Sequence, residues 1–102
     1  QAAPPASSII AKTVVIDKIT AYTDTGNAPA TGTYPRMGTI AADPKRFPYG
    51  TKVYVPGYGY GRIEDTGGFR NASYTQFDLF MYSESDCRNW GVKRSWKVYI
   101  LK

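Results

Sequence analysis

The sequence predicts an all-β fold: six short strands and one short helix in a small closed barrel. Three observations carry this. Runs of branched and aromatic residues recur along the chain, glycine and proline punctuate the gaps between them, and a single stretch has a helix-start signature. At 102 residues the chain makes one domain, because a core of this size is enough to fold alone and too small to divide.

The elements follow in order. Q-A-A-P-P-A-S-S at the start is built of small residues and prolines without periodicity, so residues 1–12 are expected to form a disordered leader or linker. It resembles what remains after signal cleavage, which makes a secreted or cell-envelope location the expectation. Residues 13–102 are expected to form the barrel. From Thr13, T-V-V-I-D-K-I-T-A-Y-T reads as a strand that ends in the turn cluster D-T-G-N-A-P-A-T-G. Further strands are expected at Met37 to Ala42, Thr51 to Val55, Gly61 to Glu64, Gln76 to Met81 and Ser95 to Leu101. Turn signals in F-P-Y-G and V-P-G-Y-G-Y-G separate them. The helix falls on S-E-S-D-C-R-N-W, where Ser83 and Asp86 have N-cap and third-position spacing. Trp90 and Trp96 are expected in the core. No stretch approaches the roughly 20 apolar residues of a membrane span.

Composition narrows the chemistry. There is no histidine and a single cysteine, Cys87, which removes Ser-His and Cys-His catalysis and the usual zinc ligand sets. Cys87 reads as a small buried residue or an unpaired thiol. No metal site and no cofactor are expected. Acid-base work is left to the carboxylates of Asp17, Asp24, Asp43, Glu64, Asp65, Asp78, Glu84 and Asp86. Lys plus Arg number 13 against 8 for Asp plus Glu, a formal charge of +5 spread along the chain. That balance suits a polyanion or an anionic surface as partner, and equally suits solubility alone.

The triplet D-T-G at Asp65 to Gly67 is also the mark of aspartic proteases, which need two such loops sharing one proton. One copy would require a dimer. Glu64 before the triplet and Gly68 after it depart from the buried protease loop, so this reading ranks last. The plain alternative is a polar turn capped by Asp65. Asp43 precedes a proline, which makes a turn with a side-chain cap as natural as a place in an active site. In Q-F-D-L-F the period of two puts Gln76, Asp78 and Phe80 on one face and Phe77 and Leu79 on the other. An aspartate inside a strand runs against propensity and asks for a reason.

The stretch G-T-I-A-A-D-P-K-R-F-P-Y-G-T-K-V-Y-V-P-G-Y-G-Y-G-R-I-E-D-T-G-G, followed by F-D-L-F and W-G-V-K-R-S-W-K-V-Y-I-L, resembles the 3D domain, named for three aspartates. That family is known in bacterial cell-wall proteins such as the membrane-bound lytic transglycosylase A group and spore-former relatives of resuscitation factors. The resemblance implies a double-psi β-barrel and maps the aspartates onto Asp43, Asp65 and Asp78. It further implies a monomeric lytic transglycosylase acting on peptidoglycan glycan strands, with no nucleic-acid partner. Asp78 would act as general acid and then general base on the bond between N-acetylmuramic acid and N-acetylglucosamine. Thr23, Arg70, Tyr58 and Tyr60 are the candidate substrate contacts, with Tyr22 and Tyr74 as further rings for sugar faces. The segment between Asp65 and Asp78 is longer than is usual for the family, and Arg70 stands where a lysine is common. Asn71-Ala72-Ser73 forms an N-glycosylation sequon. Expansin-like barrels bind walls without cutting them, so a non-catalytic wall-binding module is the competing reading.

Overall fold

The computed structural model describes residues 3–23, 36–66 and 73–102. A 3-10 turn at Ser7–Ile9 leads into β1 (Ile10–Tyr22), which starts earlier than the Thr13 indicated by the pattern. There follow β2 (Thr39–Ala41), β3 (Lys52–Val55), β4 (Gly59–Asp65), β5 (Gln76–Phe80), α1 (Glu84–Trp90) and β6 (Lys93–Leu101). The strands close in the order β1-β5-β2-β4-β3-β6. β1 runs parallel to β5 and β2 parallel to β4, while every other pairing is antiparallel. This is the expected double-psi barrel with its one short helix.

Local chemistry explains the turns and ends. Between β3 and β4, Tyr58 N–H donates to the Val55 carbonyl at 2.9 Å, with Pro56 and Gly57 in the middle and Gly57 at φ 89°. Proline followed by a positive-φ glycine is the requirement of a type II turn. α1 starts on Ser83, whose Oγ accepts from Asp86 N–H at 3.1 Å, and stops at Gly91, φ 68°. β6 begins at Lys93 and passes through Ser95, a non-glycine residue at φ 50°. That strained position hides the strand's first residues from a pattern-based reading.

The interior is filled by Ile16, Ile19, Ile40, Ile63, Phe77 and Leu79, all fully buried, with Val53, Val55 and Val98 beside them. Burying one such side chain contributes roughly 1.5–3 kcal/mol. Trp90 closes the barrel from α1 and donates its indole N–H to the Ile19 carbonyl at 3.1 Å, so its place in the core is as expected. Trp96 is half-buried against the same core, its N–H on the Pro56 carbonyl at 2.8 Å. Cys87 is a free thiol packed against this cluster.

One clamp sets the register that matters for function. Asp17 N–H donates to Thr75 Oγ1 and Thr75 N–H donates back to Asp17 Oδ2, both at 2.9 Å. Because a one-residue slip would turn every side chain to the other face, this reciprocal pair fixes Thr20 opposite Asp78.

Candidate functional site

The parallel and antiparallel ladders bring four residues into one row across the barrel wall. Thr20 pairs with Asp78, Asp78 with Ala41, and Ala41 with Asp65. Phe77 and Leu79 point inward and are fully buried, which leaves Asp78 half-buried on the outer face, as the alternation of Q-F-D-L-F requires. Thr20 Oγ1 donates to Asp78 Oδ1 at 3.0 Å and itself accepts from Gln76 Nε2 at 3.1 Å. Burial raises the Asp78 carboxyl above the usual carboxylate range; the Thr20 bond opposes this and the charge of Asp65 adds to it.

Asp65 ends β4 with its carboxylate turned to its own turn, Oδ1 accepting from Thr66 N–H at 2.8 Å. Its carbonyl accepts from Ala42 N–H at 2.9 Å. One strand lies between Asp65 and Asp78, so their backbones stand about 10 Å apart at normal strand spacing. Asp43 lies just beyond Ala41 and is buried. Its Oδ1 accepts from Lys45 N–H at 3.0 Å, while its carbonyl accepts from Arg46 and Phe47 N–H. It caps the turn after β2, which is the structural half of the sequence expectation.

The register irregularity between Ile40 and Ala41 opposite β4 brings Glu64 to the site as well. Glu64 is buried, accepts from Thr39 Oγ1 at 2.8 Å and pairs with Arg36 Nη2 at 3.1 Å. A bulge of this kind inserts a residue that alternation alone does not reveal. Thr20 and Tyr22 share a face of β1 by the same period of two that exposes Asp78, and that signal was available in I-T-A-Y.

Tyr22 is opposite Phe80, the next outward position along β5, and packs edge-on to it at 5.7 Å between centroids. Its hydroxyl is buried and, among the described residues, has no hydrogen-bond partner. Burial, then the charges of Asp65 and Asp78, push this phenol far above its ordinary value, so it remains a proton donor.

The other candidates divide. Tyr58 accepts from Gly38 N–H and donates to the Phe80 carbonyl, both at 2.8 Å, so its polar end is committed and its ring is what it offers. That ring joins Trp90, Trp96, Asp86, Asn89 and Lys93 around a cleft of about 550 Å³ beside α1. Tyr60 packs edge-on to Tyr54 and donates to the Ala3 carbonyl at 2.9 Å. It sits five residues along β4 from Asp65, about 17 Å away, and is not brought to the aspartates. Thr23 is half-buried and follows Tyr22 at the rim of the row. Arg70 and Asn71 lie outside the described residues.

A closed double-psi barrel carrying an outward row of carboxylates on β4 and β5 defines the class. A model of the 3D domain matches residues 38–102, and the chain belongs to that family. It is 48% identical over 59 residues to the cell wall-binding protein YocH of Bacillus subtilis (strain 168), an alignment covering 58% of this chain and 20% of that protein. It is 39% identical over 67 residues to YabE of the same organism, named for a proposed role in cell wall shaping, covering 66% of this chain and 16% of that protein. The chain thus spans a fifth or less of these relatives.

Proposed function

We propose that the barrel acts on the bacterial cell wall as a peptidoglycan lytic transglycosylase, with Asp78 as its general acid and base. The observation that supports this best is Asp78 itself: a carboxyl whose pKa burial raises, on an outward strand position, with its nearest carboxylate in the row, Asp65, across an intervening strand. A retaining hydrolase needs two carboxyl groups about 5 Å apart around one anomeric carbon. A single carboxyl suffices when the attacking group belongs to the substrate.

Asp78 donates its proton to the glycosidic oxygen as the bond to the muramyl C1 breaks, releasing the 4-hydroxyl of N-acetylglucosamine. The muramyl 6-hydroxyl then attacks C1 and gives its proton to the Asp78 carboxylate. One glycosidic bond is replaced by a 1,6-anhydro bond, no water is consumed, and Asp78 ends protonated as it began. The groove is reached from the cell-envelope side by a monomer, with glycan strands as partner. Arg70, Thr23 and the ring of Tyr58 extend the sugar contacts of this reading.

A second reading has its own support, since the relative YocH is named as a cell wall-binding protein. On that reading the same groove holds glycan without cutting it. Mass spectrometry of purified peptidoglycan incubated with the protein and with Asp78→Asn separates them. Anhydromuramyl ends made by the native chain and not by the variant are expected. Reducing muramic acid ends would mean that Asp65 activates water, and pelleting on sacculi with no product would favour the binding module.

A further inference from the structure

We propose that a second site, on the β3–β4 side of the barrel, binds the phosphodiester groups of an anionic polymer independently of the glycan chemistry at Asp78. Lys52 on β3 and Arg62 on β4 are directly opposed in the antiparallel ladder. Like charges in opposed positions repel, and sequences ordinarily avoid them. Both side chains are exposed, and among the described residues neither has an ion-pair partner. They line a cavity of about 250 Å³ together with Arg36 and Tyr60, and no acidic residue lines it.

At Gly61, beside Arg62, a Cβ would come within 2.6 Å of Ile40 Cδ1 and 2.8 Å of the Gly38 carbonyl, so only glycine lets β4 pack this closely on β2 beneath the cavity. The volume lies below the range of about 300–1,000 Å³ typical of sites for larger organic ligands. It suits one charged group of a chain better than a disaccharide. A phosphodiester has two free oxygens and one charge at every usable pH; the Arg62 fork and the Lys52 ammonium can each take an oxygen.

A polymer is favoured over an isolated anion because the pattern recurs on the same stretch of barrel wall. β4, β3, β6 and β1 are consecutive neighbours. Lys18 on β1 faces Arg94 on β6, a second like-charged opposed pair, and Lys97 of β6 is exposed opposite Val15. From the level of Lys52, near Leu101, to Arg94 is about 23 Å along β6, room for several repeating phosphodiesters. Lys52, Arg62, Lys97, Arg94 and Lys18 thus form a track of cations along this stretch of wall.

Titration calorimetry with a synthetic poly(glycerol phosphate) oligomer tests this, at rising sodium chloride and beside chitohexaose, poly-L-glutamate and phosphatidylglycerol vesicles. The expected result is binding of poly(glycerol phosphate) that weakens with salt and exceeds that of poly-L-glutamate. The double variant Lys52→Gln, Arg62→Gln should lose at least about tenfold in affinity. Removal of another exposed cation, Arg88→Gln on α1, should change it little, and Asp78→Asn should leave it intact. Thermal melting of each variant confirms folding. Equal affinity for poly-L-glutamate, an unchanged affinity in the folded double variant, or an equal loss in Arg88→Gln would overturn the site. Tighter binding to vesicles than to the oligomer would overturn it in favour of a lipid surface.

Discussion

Replacing Tyr22 by phenylalanine should make the free protein more stable and its glycan complex weaker. The hydroxyl is buried and has no partner among the described residues, so the folded state carries the desolvation cost of an unmade hydrogen bond, about 1–3 kcal/mol. Phenylalanine removes the oxygen and keeps the ring on Phe80. For a domain near 100 residues, each kcal/mol moves the melting temperature by about 4–8 °C, so Tyr22→Phe should melt at least about 4 °C higher. If glycan supplies the missing partner, losing a net 0.5–1.5 kcal/mol bond should weaken its binding by about 2- to 12-fold. Differential scanning calorimetry and titration with muramyl oligosaccharides read the two effects on the same samples. A lower melting temperature in Tyr22→Phe would show that the hydroxyl is already satisfied within the protein. A higher one with unchanged glycan affinity would show that it does not face the substrate.

Asp78→Asn should be more stable than the native chain near neutral pH, and the difference should vanish in acid. Its folded pKa is raised above the unfolded value near 3.9, so the native protein holds the extra proton between the two values; stability is fully present below the unfolded value and lost as pH rises through the folded one. Melting temperatures across pH check this, and a gain that persists undiminished in acid would contradict the assigned charge. Asp65→Asn removes a charge that helps hold Asp78 protonated, so the fall in lytic rate with rising pH should move to lower pH; an unmoved limb would mean the two carboxylates do not communicate. Gly61→Ala should cost about 1–3 kcal/mol by pressing a methyl into Ile40 and the Gly38 carbonyl, read as a lower urea midpoint at unchanged slope.

The strands were legible because each depends on a local pattern that the tertiary fold then uses. Q-F-D-L-F alternates over its first four residues, T-K-V-Y-V gathers branched and aromatic residues, and Ser83 with Asp86 announces α1 before any packing is known. Ends were less legible. β6 passes through a positive-φ serine that interrupts the apparent strand, and β1 extends back into small residues because Ile10 has Leu101 to pair with. The row of Thr20, Asp78, Ala41 and Asp65 joins four strands far apart in sequence, and its order follows from barrel closure, which no local pattern encodes. Asp78 was found as an anomaly within its strand. Glu64 was hidden by a bulge, and the distance of Tyr60 from Asp65 along β4 had no marker in the sequence.

The charges around Asp78 bear directly on how it works. A cation beside Asp78 would favour its ionised form and remove the proton that the proposed reaction needs first. Among the described residues, the causes that act on it are burial, the Thr20 hydroxyl and the Asp65 charge. Arg36 is held on Glu64, where it offsets that buried carboxylate. The like-charged pairs Lys52–Arg62 and Lys18–Arg94 lie on ladders that exclude the β5–β2 pair. The Lys52–Arg62 pair can therefore draw the chain to an anionic wall while burial keeps the Asp78 pKa raised. Placing a cation in the row should reverse that shift: Ala41→Lys, between Asp78 and Asp65, should lower the Asp78 pKa and abolish lysis at neutral pH while wall binding survives. Since Ala41 is itself buried, Ala41→Met serves as the control for bulk, and the argument fails if the two variants lose activity alike with the same pH profile.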